Sequence, residues 1–351
     1  MTITAFIIMG AVGLSGGIIA KLPSARIKTM ARKPVEPNTD RTKLLAALRF
    51  ASLPAEKEGA STYVTIMDRY AIGQNDTYSV GTPIAIDLRI CPQTTLFEAA
   101  LKACTDAFDL SQISPTEIVI GSGRFKAVVP AVPHSDANWV TPDKLCGMLP
   151  ELPWRQMAAI PEPKKNDKVH NHSLLLRQNS LVATNGGLLV EHWHGTDLPR
   201  SFAVPLLSAA ALGKFPARLC GFGYSPHSFT FWFEDGSFLK TRLMSEPYPA
   251  LERIFSTAAK PENSVPLWTD FYKAMSAIDK FVVDDTIHFQ DGTLCAGERA
   301  SYEVPGLPGG HKFSAAYWWR LEELIDRVAL GSGVPALFLG PSTRAVMAGR
   351  V

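Results

Sequence analysis

Apolar residues along this chain recur with two alternating periods, one helical and one strand-like. From Arg41, "RTKLLAALRFA" spaces its apolar positions as one face of an amphipathic helix. "STYVTIM" and "GTPIAIDLRI" then read as strands. "TTLFEAALKAC" predicts a second helix with an apolar stripe of Phe97, Ala100, Leu101 and Cys104. Thr95 and Glu98 have the spacing of a capping box at its start. A hairpin follows in "TEIVIGSGRFKAVVP", turning at Gly121-Ser122-Gly123.

The same order returns twice. "PLLSAAALGKF", from Pro205, follows the strand "RSFAV" and precedes the hairpin "SFTFWFEDGSFLKTRLM". "SAAYWWRLEELIDRV", from Ser314, follows "GGHKF" and precedes "PALFLGPSTRAVMAGRV". The helix starts at Thr95, Pro205 and Ser314 lie 110 and 109 residues apart, so domains are duplicated rather than short solenoid units stacked. In the third copy, Tyr317, Trp318, Leu321, Leu324, Ile325 and Val328 form a continuous helical stripe, with Arg320 and Arg327 sharing the opposite side. A first helix per copy is expected in "RTKLLAALRFA", "TPDKLCGMLPEL" and "LWTDFYKAMSAIDKF". Pro150 and Pro153 interrupt the middle one. Near the centre, "LVATNGGLLV" sets Asn185-Gly186-Gly187 between two apolar runs, which predicts a tight hairpin.

Composition narrows the class. The 351 residues suffice for two or three domains, and 26 Gly with 26 Pro favour a sheet-rich protein over a helical bundle. Five scattered cysteines without a CxxC pair argue for a reducing compartment and against a disulfide frame or zinc site. A formal charge of +2 does not announce a nucleic-acid binder, so any such role needs bases gathered on one face. Residues 1–40 form an N-terminal extension: an uncharged apolar run, 3–20, then a basic and finally a polar leader. Three readings stay open for it: upstream sequence ahead of a start at Met30, a membrane anchor, or an ordered extension.

The threefold arrangement of paired helices and strand meanders resembles the bacterial DNA polymerase III β sliding clamp family. "VATNGGLL" is similar to that family's ATDGHRL turn through Thr184, Gly186 and Leu189. "FEDGSFLKTRLMSEPYPALERIF" resembles its FxDGxxLxSRLIDGxFPDYxRVI segment through Arg242, Leu243, Pro249, Arg253 and Ile254. "RAVMAGRV" is similar to the closing YVVMPMRL, with Val346, Met347 and Arg350 in matching places, and "GSGRFKAVVPAVP" resembles the strand pair before the first domain boundary.

The resemblance runs from Arg41 to Val351 and implies an α+β fold: a DNA clamp with three similar domains, each of two helices on antiparallel sheet. The implied boundaries are 41–133, 134–260 and 261–351. It further implies a head-to-tail homodimer ring around duplex DNA, with no catalysis and no cofactor of its own. Polymerase and clamp-loader peptides would dock in an apolar pocket of Thr184, Gly186, Leu189, Pro249, Arg253, Ile254, Val346 and Met347. Candidate DNA contacts are Lys43, Arg49, Lys102, Lys164, Lys165, Lys214, Lys273, Lys280, Arg320 and Arg327, with Lys168 in the same loop as Lys164. A cytoplasmic, nucleoid-associated protein is expected, with a membrane anchor in residues 3–20 as the disfavoured alternative.

The chain departs from the family at Asn185, Gly187, Leu188 and Ala348, which suits a divergent clamp. Two rival readings remain. One is a clamp-fold peptide scaffold that does not encircle DNA. The other is a metal enzyme built on His170, His172, His192 and His194, whose H-x-H pairs each share a strand face but would be separated by a middle strand.

Overall fold

A computed structural model of the chain describes residues 40–56, 62–133, 140–163, 168–245 and 248–350. The apolar segment 3–20, the leader up to Thr39, and Lys164 and Lys165 lie outside the described residues. No described helix is long and apolar enough to cross a membrane.

The first repeat opens with α1 (Arg41–Ala51), whose start is capped by the Asp40 carboxylate accepting from the Thr42 and Lys43 amides. A meander follows: β1 (Thr65–Met67), β2 (Tyr70–Gln74) and β3 (Tyr78–Pro83). Then come β4 (Ile90–Pro92), α2 (Thr94–Ala103) and a second meander, β5 (Asp109–Ser114), β6 (Glu117–Ser122) and β7 (Phe125–Pro133). The expected capping box is not formed. Gln93 occupies the N-cap without a side-chain bond, and Glu98 instead reaches Lys102 at 2.9 Å. Thr95 lies two positions past the N-cap, too deep in the helix to cap it.

The second repeat has β8 (Gly147–Met148), α3 (Trp154–Ala158), then β9 (Ser173–Leu176), β10 (Ser180–Thr184) and β11 (Leu188–Trp193). It continues with β12 (Phe202–Pro205), α4 (Leu206–Leu212), β13 (Leu219–Tyr224), β14 (Ser228–Phe233) and β15 (Phe238–Arg242). Its first helix is displaced from the expected 141–152 to a single turn and a half after Pro153. Residues 147 and 148 pair with β13 instead, since prolines at 150 and 153 deny a helix its amides there.

A short helix, α5 (Leu251–Ser256), leads to the third repeat: β16 (Val265–Pro266), α6 (Phe271–Ile278), β17 (Thr286–Gln290), β18 (Thr293–Ala296) and β19 (Ala300–Glu303). Last come β20 (His311–Ser314), α7 (Ala315–Leu321), β21 (Arg327–Ala329), β22 (Ala336–Gly340) and β23 (Thr343–Met347). Here α7 is half the predicted length. Leu324, Ile325 and Val328 are buried as expected, but in a connecting segment and in β21; just before β21 the Asp326 amide bonds the Leu339 carbonyl. Arg327 is therefore a strand residue, bonded to Ser264, and does not share a helix with Arg320.

In every repeat, the strand before the second helix pairs with the first strand of the meander: β4 with β1, β12 with β9, β20 with β17. The repeats join edge to edge. β3 pairs with β15 and β11 with β23, all antiparallel, giving sheets of 11 and 8 strands beside a sheet of 4. The helices pack as pairs; α6 meets α7 through Phe271 and Trp318, rings 4.4 Å apart. One apolar core fills the first repeat, and a second runs continuously through the other two.

Candidate functional site

The Asn185-Gly186-Gly187 turn joins β10 to β11 as predicted. Asn185 Oδ1 accepts from the Gly187 and Leu188 amides, and Thr184 Oγ1 donates to the Leu188 carbonyl and accepts from the Gly186 amide. Gly186 takes φ +89°, open to glycine at no steric cost. A Cβ on Gly187 would stand 2.8 Å from the Tyr317 hydroxyl, so the missing side chain admits Tyr317 from α7 against the turn. The Ala348 amide closes the other side on the Gly187 carbonyl. Thr184 and Gly186 thus shape the turn.

Alternation along β11 and β23 sorts the apolar candidates. Leu189 and Val346 are cross-strand partners, and each is buried, at 2% and 4% exposure. Ile254 and Phe255 of α5 cover both, touching the cluster around Leu189 and the one around Val346. Leu251, Val182, Leu175 and Tyr248 complete this cover. Pro249 is half-buried in the segment entering α5, and Arg253 is exposed on it. Met347 is not part of this set. One residue beyond Val346, it turns to the opposite face and is fully buried in the main core beside its partner Leu188. The structure brings together Leu189, Ile254 and Val346, roofed by α5.

Sequence reasoning missed the polar half of the same face. Glu191, 2% exposed, accepts from Arg177 at 2.9 Å, Ser180 at 2.7 Å and Arg344 Nε at 2.8 Å. Glu252 of α5 meets the same two arginines at 3.1 and 3.4 Å. Arg344 also lies over the rings of Phe255, at 3.7 Å, and Trp193, at 5.1 Å. The one available signal was that Glu191 shares the two-residue period with Leu189 in a strand that is apolar up to that point. Tyr248 was missed too. Its phenol is buried, which raises its pKa, and it donates to the Ser173 carbonyl at 3.4 Å.

The candidate DNA contacts divide. Lys43 and Arg49 on α1, Lys273 on α6, Lys280 in the 3-10 turn after it, Lys214 just past α4, and Lys168 are exposed. Lys102, exposed as well, is paired with Glu98 at 2.9 Å, while Lys43 and Lys273 make looser pairs with Asp40 and Asp270, each at 4.0 Å. Arg320 is drawn to Glu162 and the Ile160 carbonyl, bracing α7 against the second repeat.

The histidine pairs do not converge. His172 precedes β9 and His194 follows β11, which places them at opposite ends of the meander. They are farther apart than the two strand spacings expected, because β9 and β11, both antiparallel to β10, run in the same direction. Among the described residues no three His, Cys, Asp or Glu side chains gather as a metal site. His192 Nδ1 lies 2.9 Å from Thr343 Oγ1, and His194 Nδ1 accepts from the Thr196 amide. Burial lowers the pKa of both.

Three repeats of helix, meander, strand, helix and meander, joined edge to edge at β3–β15 and β11–β23, define the fold of the DNA sliding clamps. Among solved structures, the chain is similar to the sliding clamp of Bacillus subtilis, with a TM-score of 0.73 at 13% identity over 89% of this chain and 98% of that one. It is also similar to the Pseudomonas aeruginosa sliding clamp, with a TM-score of 0.71 at 14% identity over 89% and 98%. A third likeness is to the Helicobacter pylori β clamp bound to a DNA ligase peptide, with a TM-score of 0.70 at 14% identity over 89% and 99%. No protein-family model and no curated protein sequence matches the chain. The likeness is therefore one of fold, reached through a divergent sequence.

Proposed function

We propose that this chain is a divergent sliding clamp. Two copies close head to tail around duplex DNA, and partners such as a polymerase or clamp loader are tethered through the face roofed by α5. Domains 41–133, 134–260 and 261–351 each supply one repeat, and catalysis belongs to the partners.

The observation that carries this reading is the seam pattern. Each seam joins the third strand of one repeat's first meander to the third strand of another repeat's second meander, β3 to β15 and β11 to β23. The remaining members of the series are β19, which ends its sheet, and β7, whose stretch from Phe125 to Pro130 pairs on one side with β6. Joining β19 of each copy to β7 of the other repeats the same seam twice and closes the assembly without leaving a growing edge. The exposed bases of α1, α6 and the end of α4 then supply weak, salt-screened phosphate contacts that permit sliding.

The test is retention of the full chain on nicked circular DNA, loaded with whatever loader fraction its source supplies, then linearised. Loss on linearisation is expected of a ring. Equal retention on circular and linear DNA would sink the ring and leave a clamp-fold scaffold, and no retention on either, with peptide binding intact, would do the same. Membrane attachment is not part of this reading.

A further inference from the structure

We infer that Arg177 and Arg344 form a carboxylate-recognition site beside the apolar cover, held shut by the chain's own Glu252, and that the docking peptide carries acidic residues next to its apolar anchors. This rests on the partner-docking reading above and names the chemistry of the partner.

The argument begins with what α5 covers. Leu189 and Val346 are almost fully buried beneath Ile254 and Phe255, so a peptide side chain reaches them only if α5 shifts. The same helix carries Glu252, whose carboxylate spans both arginines at 3.1 and 3.4 Å while its own side chain is 68% exposed. Phe255 is also stacked on Arg344. Displacing α5 therefore withdraws one carboxylate from the arginine pair in the same movement.

The arginines themselves cannot follow. Glu191 is buried on the rigid β11 and holds Arg177 and Arg344 at 2.9 and 2.6 Å, with Ser180 as a third donor. Two guanidinium groups against two carboxylates are balanced. With Glu252 gone, one positive charge is left at a partly desolvated spot, where opposite charge is worth more than in open water. A partner's Asp or Glu restores the balance. Exposed Trp193, whose ring lies 5.1 Å from the Arg344 guanidinium, gives that residue an apolar wall. Glu252 makes the longer and more exposed contacts of the two acids, so it is the replaceable one.

The test is fluorescence anisotropy with the full chain and two labelled peptides. Each has a Gln-Leu-Ala-Leu-Phe core, flanked on both sides by Glu-Glu in one and by Gln-Gln in the other. The acidic peptide is expected to bind about five-fold more tightly at low salt, and the margin should shrink toward ~0.5 M salt. Glu252→Gln should tighten both peptides, because α5 then shifts without giving up its ion pairs, and the acidic peptide should keep its margin over the neutral one. Glu322→Gln, the same charge change on an exposed residue just past α7, should alter neither.

Equal affinities for the two peptides, both lost in Ile254→Asp, would overturn the carboxylate site and leave the apolar docking face standing. A preference for the acidic peptide that Glu252→Gln and Glu322→Gln raise equally would mark general charge attraction and also overturn it. Binding of neither peptide by folded protein would overturn the docking face and this site together.

Discussion

Met347 and Arg253 look alike in the sequence, each matching a position of a peptide-binding segment, but the structure gives them opposite physical roles. Met347 fills the main core at 0% exposure, and truncating it leaves a cavity. Met347→Ala is expected to cost about 2–5 kcal/mol of stability, read as a lower Tm and denaturation midpoint. Arg253 is exposed on α5, so Arg253→Ala should leave Tm within about 1 °C, the range of a surface substitution, and weaken peptide binding alone. If Met347→Ala keeps its Tm and loses only peptide affinity, the face assignment made from the β11–β23 register is wrong. The residue-level identities were legible in the sequence. Their facing was not, because a strand turns neighbouring residues to opposite sides and a motif match does not carry the register.

At the scale of elements, strands were read more securely than helix lengths. The 181–190 hairpin forms as expected because its turn residues and flanking runs act locally. α7 stops at Leu321 although its stripe continues to Val328, since burial can be met equally by a helix face or by a buried strand. The sheet offered β21 a partner in β22 and α7 lost its last turns.

The β11–β23 seam holds His192, bonded to Thr343, and His194 follows just beyond β11; burial lowers the pKa of both, so the fold favours their neutral forms. In the unfolded chain each titrates near 6.5, above its folded value, so the unfolded state binds more protons as pH falls past that point. Their contribution is complete above pH 6.5 and is lost as pH falls through the lowered values. Tm should therefore decline as pH falls below about 6.5, and the slope should flatten in the His192→Asn, His194→Asn double variant. An unchanged slope in that variant would assign the acid sensitivity elsewhere.

At the scale of the whole molecule, the two internal seams are alike in backbone and opposite in chemistry. At the second, Leu189, Val346 and Leu337 lie in one row across the sheet. At the first, the corresponding row is Ser79, Lys240 and Thr230. There Asp143 caps the row, accepting from Thr230 at 2.9 Å and pairing with Lys240 at 3.2 Å. Of these two seams only the second offers apolar anchors, and the proposed docking face falls there.

In the proposed ring, closure falls to the β7 and β19 edges. Lys126 and Val128, both exposed on β7, stand beside the edge that β19 would join. Lys126→Glu with Val128→Asp is expected to convert a dimer into monomers of unchanged Tm in sedimentation, and to abolish retention on circular DNA. A dimer that survives this pair would place the joint on another edge.

The sequence alone carried the threefold period, the strand meanders, the central turn and the family likeness, because these follow from local apolar spacing and from residues with few backbone options. Tertiary structure decided which way Met347 and Val346 face, where α7 ends, that the histidine pairs lie at opposite ends of a meander, and that Glu191 binds two arginines beneath α5. Each of those depends on register and on contacts between residues far apart in the chain, such as Glu191 with Arg344. Such contacts form only when the β11–β23 seam sets the two strands side by side.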